Sequence, residues 1–342
     1  MKETEPEQKT VKIFYLLTFV LPILTIFGNM YAENSWNGVN YSWIGILVAI
    51  FVYPVIETLW GEGKDFNPEN APTGFFDSIL YIHVVGQFIG IMTLIDLTNR
   101  NPNDLILTGA ILTTSINSGV SIVIAHELVH RPKKWERLLG RIILWTVNYM
   151  HFETEHIRGH HRTVATAEDP ASAPAWMSLY TFFVTTVPRQ YISAWRIETK
   201  RTKSLWKHRV FLWTGIEIAT CLAVYVYLGK MVLIVFLLNS LGAVFLLEYV
   251  NYIRHWGLNR EKGERIAVEH SWQSNYRLSR YILVELTRHP DHHLTASRPY
   301  QALKSYDDAP TLPSGYFVCF LIALNPFMWK WIMKRRLPKT SD

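Results

Sequence analysis

Six apolar runs, each near the length that crosses a bilayer, constrain this 342-residue chain more than any other feature. A hydrocarbon core about 30 Å thick takes about 20 apolar residues in a helix. Backbone groups inside it must be satisfied internally, which leaves helices or closed barrels. Runs of 20 residues are too long for barrel strands. The runs cover residues 13–31, 41–60, 75–98, 104–125, 208–228 and 231–252. They predict an all-α integral membrane protein of about six transmembrane helices, folded as a single domain over 1–342. The first run is too long for a cleaved signal and lacks a basic segment before it. Three shorter runs, 142–152, 176–187 and 316–329, are rich in Trp and Tyr and suit the membrane interface.

Charge fixes the expected orientation. With the N-terminus in the cytoplasm, Lys and Arg number 3 in residues 1–12, 13 in 126–208 and 14 after 253. Lys64 adds one between the second and third runs, while the outer loops hold only Arg100 and Lys230. That bias follows the positive-inside rule. It predicts a cytoplasmic cap built from residues 126–207 and 253–342. The net charge of +6 is therefore a topology signal, and no basic groove or RNA-module pattern points to nucleic acid.

Only Cys221 and Cys319 are present, which excludes a disulfide scaffold and a cluster held by four thiolates. There is no P-loop and no G-x-G-x-x-G after a strand pattern. Any nicotinamide or flavin would have to sit on a partner.

Nine of the 13 histidines fall in four clusters, all on the expected cytoplasmic side. These are His126 with His130, His156 with His160 and His161, His255, and His289 with His292 and His293. Residues i and i+4 share a helix face, so His126 with His130, and His156 with His160, are each placed to hold one ion. His161 then points elsewhere and serves a second ion, and His289, His292 and His293 repeat the logic. A catalytic zinc takes about three protein ligands. Nine imidazoles suit two ions with four or five each, and imidazole suits iron, zinc, copper or nickel. His83 and His208 read as structural residues, and His151 and His270 as neighbours of the clusters.

Carboxylates stand near by: Glu127, Glu155, Asp169, Glu248 and Asp291. A metal-bound imidazole usually donates its outer N–H to such a group. Glu248, Asn251 and His255 share a helix face, and an acid at a membrane boundary is a functional candidate.

HELVHR at 126–131, EHIRGHHRTVATAEDPAS at 155–172, LEYVNYIRHWGL at 247–258, HSWQSN at 270–275 and LTRHPDHHLTASRPYQAL at 286–303 resemble the integral-membrane non-haem diiron alkane 1-monooxygenases. The order and intervals fit over nearly the whole chain. The HxxxHH box separates it from acyl desaturases with two HxxHH boxes. Val129, Arg254, Trp256 and Pro290 depart from the usual pattern, with Arg254 where Glu is frequent, and none removes a ligand. The resemblance implies two non-haem iron ions on the nine clustered histidines. It also implies terminal hydroxylation of an alkane with O2, electrons from rubredoxin and its reductase, and a bacterial inner membrane location.

The chemistry agrees with this, since an alkane offers no handle for acid–base attack and dissolves in lipid. Ser115, Gly119 and Ile122 on the fourth run and Val244 on the sixth are expected to border a path to the site, with Trp43 at its far end. Other readings remain: a diiron hydroxylase or desaturase of an alkyl-aromatic, fatty acid or terpenoid; an HExxH zinc protease with Glu127 as base; and a His-rich metal transporter. The transporter would hold its ligands near the midplane.

Overall fold

The computed structural model describes residues 12–63 and 73–338. Most of the N-terminal segment and the loop carrying Lys64 lie outside them. Within the described residues the regular structure is helical apart from a small hairpin, Ser35–Trp36 with Val39–Asn40, and two isolated bridges. Asn37 and Gly38 turn it with positive φ values of 49° and 81°, as a two-residue hairpin loop requires.

Six helices among the described residues are long and apolar enough to span a membrane: α1 (Lys12–Met30), α2 (Tyr41–Trp60), α3 (Thr73–Asn99), α4 (Asp104–His130), α8 (Arg209–Leu228) and α9 (Lys230–His255). Between α4 and α8 come α5 (Lys134–Thr146), a short broken helix α6 (Phe152–Glu155, His156–His160, His161–Thr163) and α7 (Leu179–Arg201). After α9 follow α10 (Arg277–Ile282), α11 (His289–Leu294), α12 (Tyr316–Ala323) and α13 (Pro326–Lys334). The chain is a multi-pass membrane protein.

Two of these helices, α4 and α9, continue at their C-terminal ends well past their apolar runs. α4 has 27 residues and α9 has 26. At 1.5 Å per residue each is about 40 Å long, roughly 10 Å more than the hydrocarbon core. Hydropathy stops at Ala125 and Tyr252, but the backbone ladder does not. The added turns carry His126, His130 and His255, so the histidines stand past the apolar layer on unbroken helices. Caps set the starts: Asn103 accepts the Ile106 N–H for α4, and Ser178 accepts the Thr181 N–H for α7.

The cap elements pack around those helix ends. Gly140 brings α5 so near α4 that a Cβ there would meet Val129 at 2.9 Å and the Ala125 carbonyl at 3.0 Å. The run expected at the interface over 316–329 is two helices, α12 and α13, meeting at 120°. α12 is less superficial than that expectation, since Tyr316, Cys319 and Ala323 are buried. Its N-terminus is held by α2 and α10. Val318 N–H donates to Glu57 at 2.9 Å and Tyr316 N–H to Ser279 at 2.8 Å.

A buried ion network anchors the segment that leads into α11. Glu285 accepts from Arg280 at 2.8 and 3.0 Å and from the Tyr15 hydroxyl of α1 at 2.5 Å, with Arg288 at 3.4 Å. Val284 and Glu285 have φ of 43° and 57°, a region non-glycine residues enter only when their surroundings hold them there. Removing one partner of such a network strands the others. Glu285→Gln is therefore expected to lower stability by about 3–5 kcal/mol. Thermal unfolding in detergent checks this, and an unchanged midpoint would show that the network is dispensable.

Candidate metal centre

All nine clustered histidines meet at the end of the bundle where α4 and α9 overshoot. They form two groups. His126, His130, His156, His161 and His292 make one; His160, His255, His289 and His293 make the other. Within each group one ring nitrogen per residue lies within 4.8 Å of all the rest. The groups adjoin, with the rings of His161 and His293 centred 4.7 Å apart.

The second box does not divide as helical spacing predicts. His156 and His160, expected to share an ion, fall in different groups, and His156 joins His161. The reason is local backbone: His156–His160 is a π-helical turn. A π turn closes i to i+5 rather than i to i+4, so His156 and His161 come onto one face. Their ring nitrogens are 3.1 Å apart. In α11 the ordinary rule holds for His289 and His293, 2.9 Å apart, while His292 turns to the five-histidine group, 3.1 Å from His161. Nothing in the residue types marks the π turn.

The donor set fits metal ions. Nitrogen pairs at 2.9–3.1 Å, such as His130 with His156 and His255 with His289, match two imidazoles that meet one ion at right angles with bonds of about 2.1 Å. Among the described residues, His126 Nε2 and His160 Nε2 have no hydrogen-bond partner although both residues are buried. Burial, and then neighbouring charged groups, hold His156, His161, His289, His292 and His293 well below the usual imidazole range. They are neutral at pH 7, the form a metal requires.

Of the five nearby carboxylates, one touches a clustered histidine. Asp169 faces His160 Nδ1 at 2.9 Å, and accepts from Ser172 Oγ at 2.6 Å and from the Ala171 N–H at 3.1 Å. The EDPAS run is thus a turn that presents a carboxylate to a histidine. Glu127 instead pairs with Arg131 at 3.0 Å and accepts the Tyr300 N–H at 3.3 Å. Asp291 binds Arg298, the Tyr306 hydroxyl and the Lys304 N–H, and so pins the loop after α11. Glu155 reaches Ser193 at 3.4 Å, and burial followed by the charges of Asp169 and Glu248 pushes its carboxyl well above the usual range. Glu248 accepts from Tyr149, Gln190 and Asn251. Asn251 passes the contact on to Arg254, and Arg254 touches His289.

The histidines outside the clusters have structural partners. His83 meets Thr18 at 2.8 Å, and His208 caps α8 by accepting the Phe211 N–H. His151 lies against Tyr149 and Tyr191. His270 offers its carbonyl to His255 Nδ1 at 3.3 Å.

A cavity of about 260 Å³ lies among α2, α4, α9 and α12. Ser115 and Gly119 line it, together with Ile116, Val120 and Val123 of α4. Ile122 and Val244 are buried in the core beside it, and the Trp43 indole donates to the Leu105 carbonyl at 3.1 Å instead of closing its end. Val123 also borders a pocket of about 10 Å³ against His126 and His292. The cavity therefore approaches the histidines one residue round the helix from the expected face. A second, polar groove of about 690 Å³ is lined by Arg158, Arg162, Arg189, Arg196, Lys200 and Lys262. Its one lining acid, Glu168, pairs with Lys262 at 2.6 Å, and Gly159, between the two histidine groups, forms part of its wall.

Residues 105–322 match the family model described as fatty acid desaturase. An alkane 1-monooxygenase 1 of Pseudomonas aeruginosa is 32% identical over 94% of this chain and 90% of its own length. An alkane 1-monooxygenase of Acinetobacter baylyi is 33% identical over 86% and 76%. The chain belongs to the alkane 1-monooxygenases of the fatty acid desaturase family. As a member of that family it is an oxidoreductase. A xylene/toluene monooxygenase hydroxylase component of Pseudomonas putida is more distant, at 25% identity over 95% of this chain and 88% of its own length.

Two outcomes are expected of this centre. His161→Ala and His255→Ala should each lower bound metal by elemental analysis, while His83→Ala and His208→Ala leave it unchanged. Equal metal in all four would separate the clusters from metal binding. The second concerns pH. Free imidazoles in the unfolded chain protonate near 6.5, and the buried ones resist. The unfolded state then binds more protons, so stability of the metal-free protein falls as pH drops below about 6.5. Unfolding midpoints at pH 7.5 and 5.5 check this, and equal midpoints would contradict it.

Proposed function

We propose that this protein is a membrane-bound diiron monooxygenase that hydroxylates the terminal carbon of a linear alkane. The observation that carries the reading is an apolar cavity between membrane helices that reaches Val123, which also borders His126 and His292 of a centre of nine clustered imidazoles. Family membership supports it. Five histidines would hold one iron and four the other, with Asp169 orienting His160. The irons, when bound, would supply reduction of O2 and the oxidising power to break an unactivated C–H bond. One oxygen atom enters that bond and the other leaves as water, with two electrons and two protons consumed.

The chain's own residues account for the rest. The cavity removes the alkyl chain from lipid without passing it through water, and its apolar wall aligns the chain along α4. Val123 narrows the way to His126 and His292, so a chain end passes more readily than a mid-chain carbon. Such a wall discriminates weakly, at about 1–3 kcal/mol per methylene. Gly119 serves packing as well as lining. A Cβ there would meet Leu246 at 2.8 and 2.9 Å, so the two helices touch at this point.

Electrons come from outside the chain. The six cations of the groove favour an acidic carrier and speed its encounter. Rubredoxin, supplied by its reductase, fits that description. The positive-inside charge bias supports a cytoplasmic centre and a bacterial inner membrane.

The protease reading loses support because Glu127 is engaged by Arg131 and Tyr300, and one zinc leaves four or more of the histidines unused. The distant xylene/toluene relative keeps alkyl-aromatic methyl groups as the second substrate class to test.

The test is product analysis with purified protein, a rubredoxin, its reductase, NADH and a linear alkane. The 1-alkanol is expected, with no product when the carrier is omitted. A desaturated product, or turnover of toluene but of no alkane, would overturn the reading. Val123→Phe should cut alkane turnover at least tenfold with metal content unchanged, and unaltered turnover would reroute the path. Arg189→Glu with Arg196→Glu should raise the KM for the carrier about tenfold and leave bound metal intact. An unchanged KM would place the carrier elsewhere.

A further inference from the structure

One contact in the four-histidine group differs from those of His160 and His255, while His293 Nδ1 has no hydrogen-bond partner among the described residues. A metal-bound imidazole ordinarily donates its outer N–H to a carboxylate, carbonyl or water. His160 faces Asp169 in this way and His255 faces the His270 carbonyl. The outer nitrogen of His289 faces a donor instead: Arg254 Nη1 lies 3.1 Å from His289 Nδ1. Arginine has five N–H donors and no acceptor. His289 Nδ1 must therefore receive this bond, and the single ring hydrogen of the neutral imidazole then sits on Nε2. That nitrogen points into the group, 3.1 Å from His255 Nε2 and 2.9 Å from His293 Nε2.

Arg254 is not free to turn away. It is 1% exposed and donates to Asn251 Oδ1 at 2.6 Å and to the Val250 carbonyl at 3.2 Å. Asn251 is fixed in turn by Glu248, and Glu248 by Gln190 and Tyr149. Among the described residues no carboxylate lies within ion-pair distance of Arg254, so nothing competes directly for its guanidinium. The whole chain of contacts ends by aiming a donor at His289.

We propose that Arg254 is a positioning residue that makes His289 the weakly held ligand of the four-histidine position, and so makes that position the labile one of the two. For His289 to bind an ion through Nε2, the bond from Arg254 must be broken or the ring hydrogen lost. His160, His255 and the five-histidine group carry no such cost from Arg254 by direct contact. An acceptor in place of Arg254 removes it, because the His289 N–H then has a partner on the outer side and Nε2 is left as a lone pair. This rests on the reading of the four-histidine group as a metal position.

The experiment follows metal release rather than turnover. Iron-loaded holoenzyme in detergent is challenged with a chelator, and iron leaving the protein is recorded with time. The native protein should lose one iron of two in a faster phase. Arg254→Gln and Arg254→Glu supply an acceptor oxygen and should slow that phase about tenfold or more, within the range that outer partners of ligands command. Arg254→Lys, a donor without an acceptor, should stay native-like. Should the Gln and Glu variants fail to fold, the native background decides: His289→Ala should speed the fast phase less than tenfold, while His255→Ala should abolish retention at that position. Faster release in both acceptor variants, or an equal loss from His289→Ala and His255→Ala, overturns the proposal. A native protein with a single iron and no second site would instead count against the two-metal reading on which it rests.

Discussion

Nine imidazoles have to be held within a few ångströms of one another, and most of the architecture can be traced to that requirement. Imidazoles repel when protonated and need fixed ring orientations to serve an ion. Two membrane helices that continue three to five residues past their apolar runs supply rigid stems for three of them. The other six come from the cap, on the π turn and on α11, and each of these needs its own support. Asp169 fixes His160, and Asp291 pins the loop after α11. The Glu285 network holds the strained approach to α11 in place. Charged groups are thus concentrated around the centre, where they fix the elements that carry the histidines.

The site also joins two unlike environments. One is an apolar cavity among α2, α4, α9 and α12, the other a groove rimmed with six cations. Under the proposed function, substrate from lipid and electrons from a soluble carrier would use these two approaches to the same histidines. Val123 on the lipid side and Gly159 on the groove side are the residues nearest the junctions, and Gly159 lies inside the π turn itself. The backbone irregularity that sorts the histidines thus also forms part of the groove wall.

Much of this was legible in the sequence, for physical reasons. Apolar length announces a membrane helix because lipid permits few alternatives, and the six runs correspond to the six long helices. Nine clustered histidines announce metal chemistry because imidazoles are rarely grouped otherwise. Helix ends were less legible. Hydropathy marks where lipid stops, whereas hydrogen bonding decides where a helix stops, so α4 and α9 run three to five residues beyond their apolar runs. The partition of the histidines was hidden by the π turn, which has no residue signature, and i, i+4 reasoning paired His156 with the wrong neighbour. Proximity in sequence also overstated the carboxylates. Glu127 and Asp291 are next to histidines along the chain, yet their side chains turn to arginines. The contact from Arg254 to His289 joins residues 35 apart and could not be read from either segment alone.

Under the proposed function the chain would carry two metal ions in nitrogen-only sites of five and four imidazoles. Metal analysis of the purified protein, combined with X-ray absorption at the iron edge, tests it most directly. The account predicts two irons per chain and a first coordination sphere dominated by imidazole nitrogen, with any oxygen coming from solvent-derived ligands. One zinc per chain, or two irons bridged by a protein carboxylate, would contradict it.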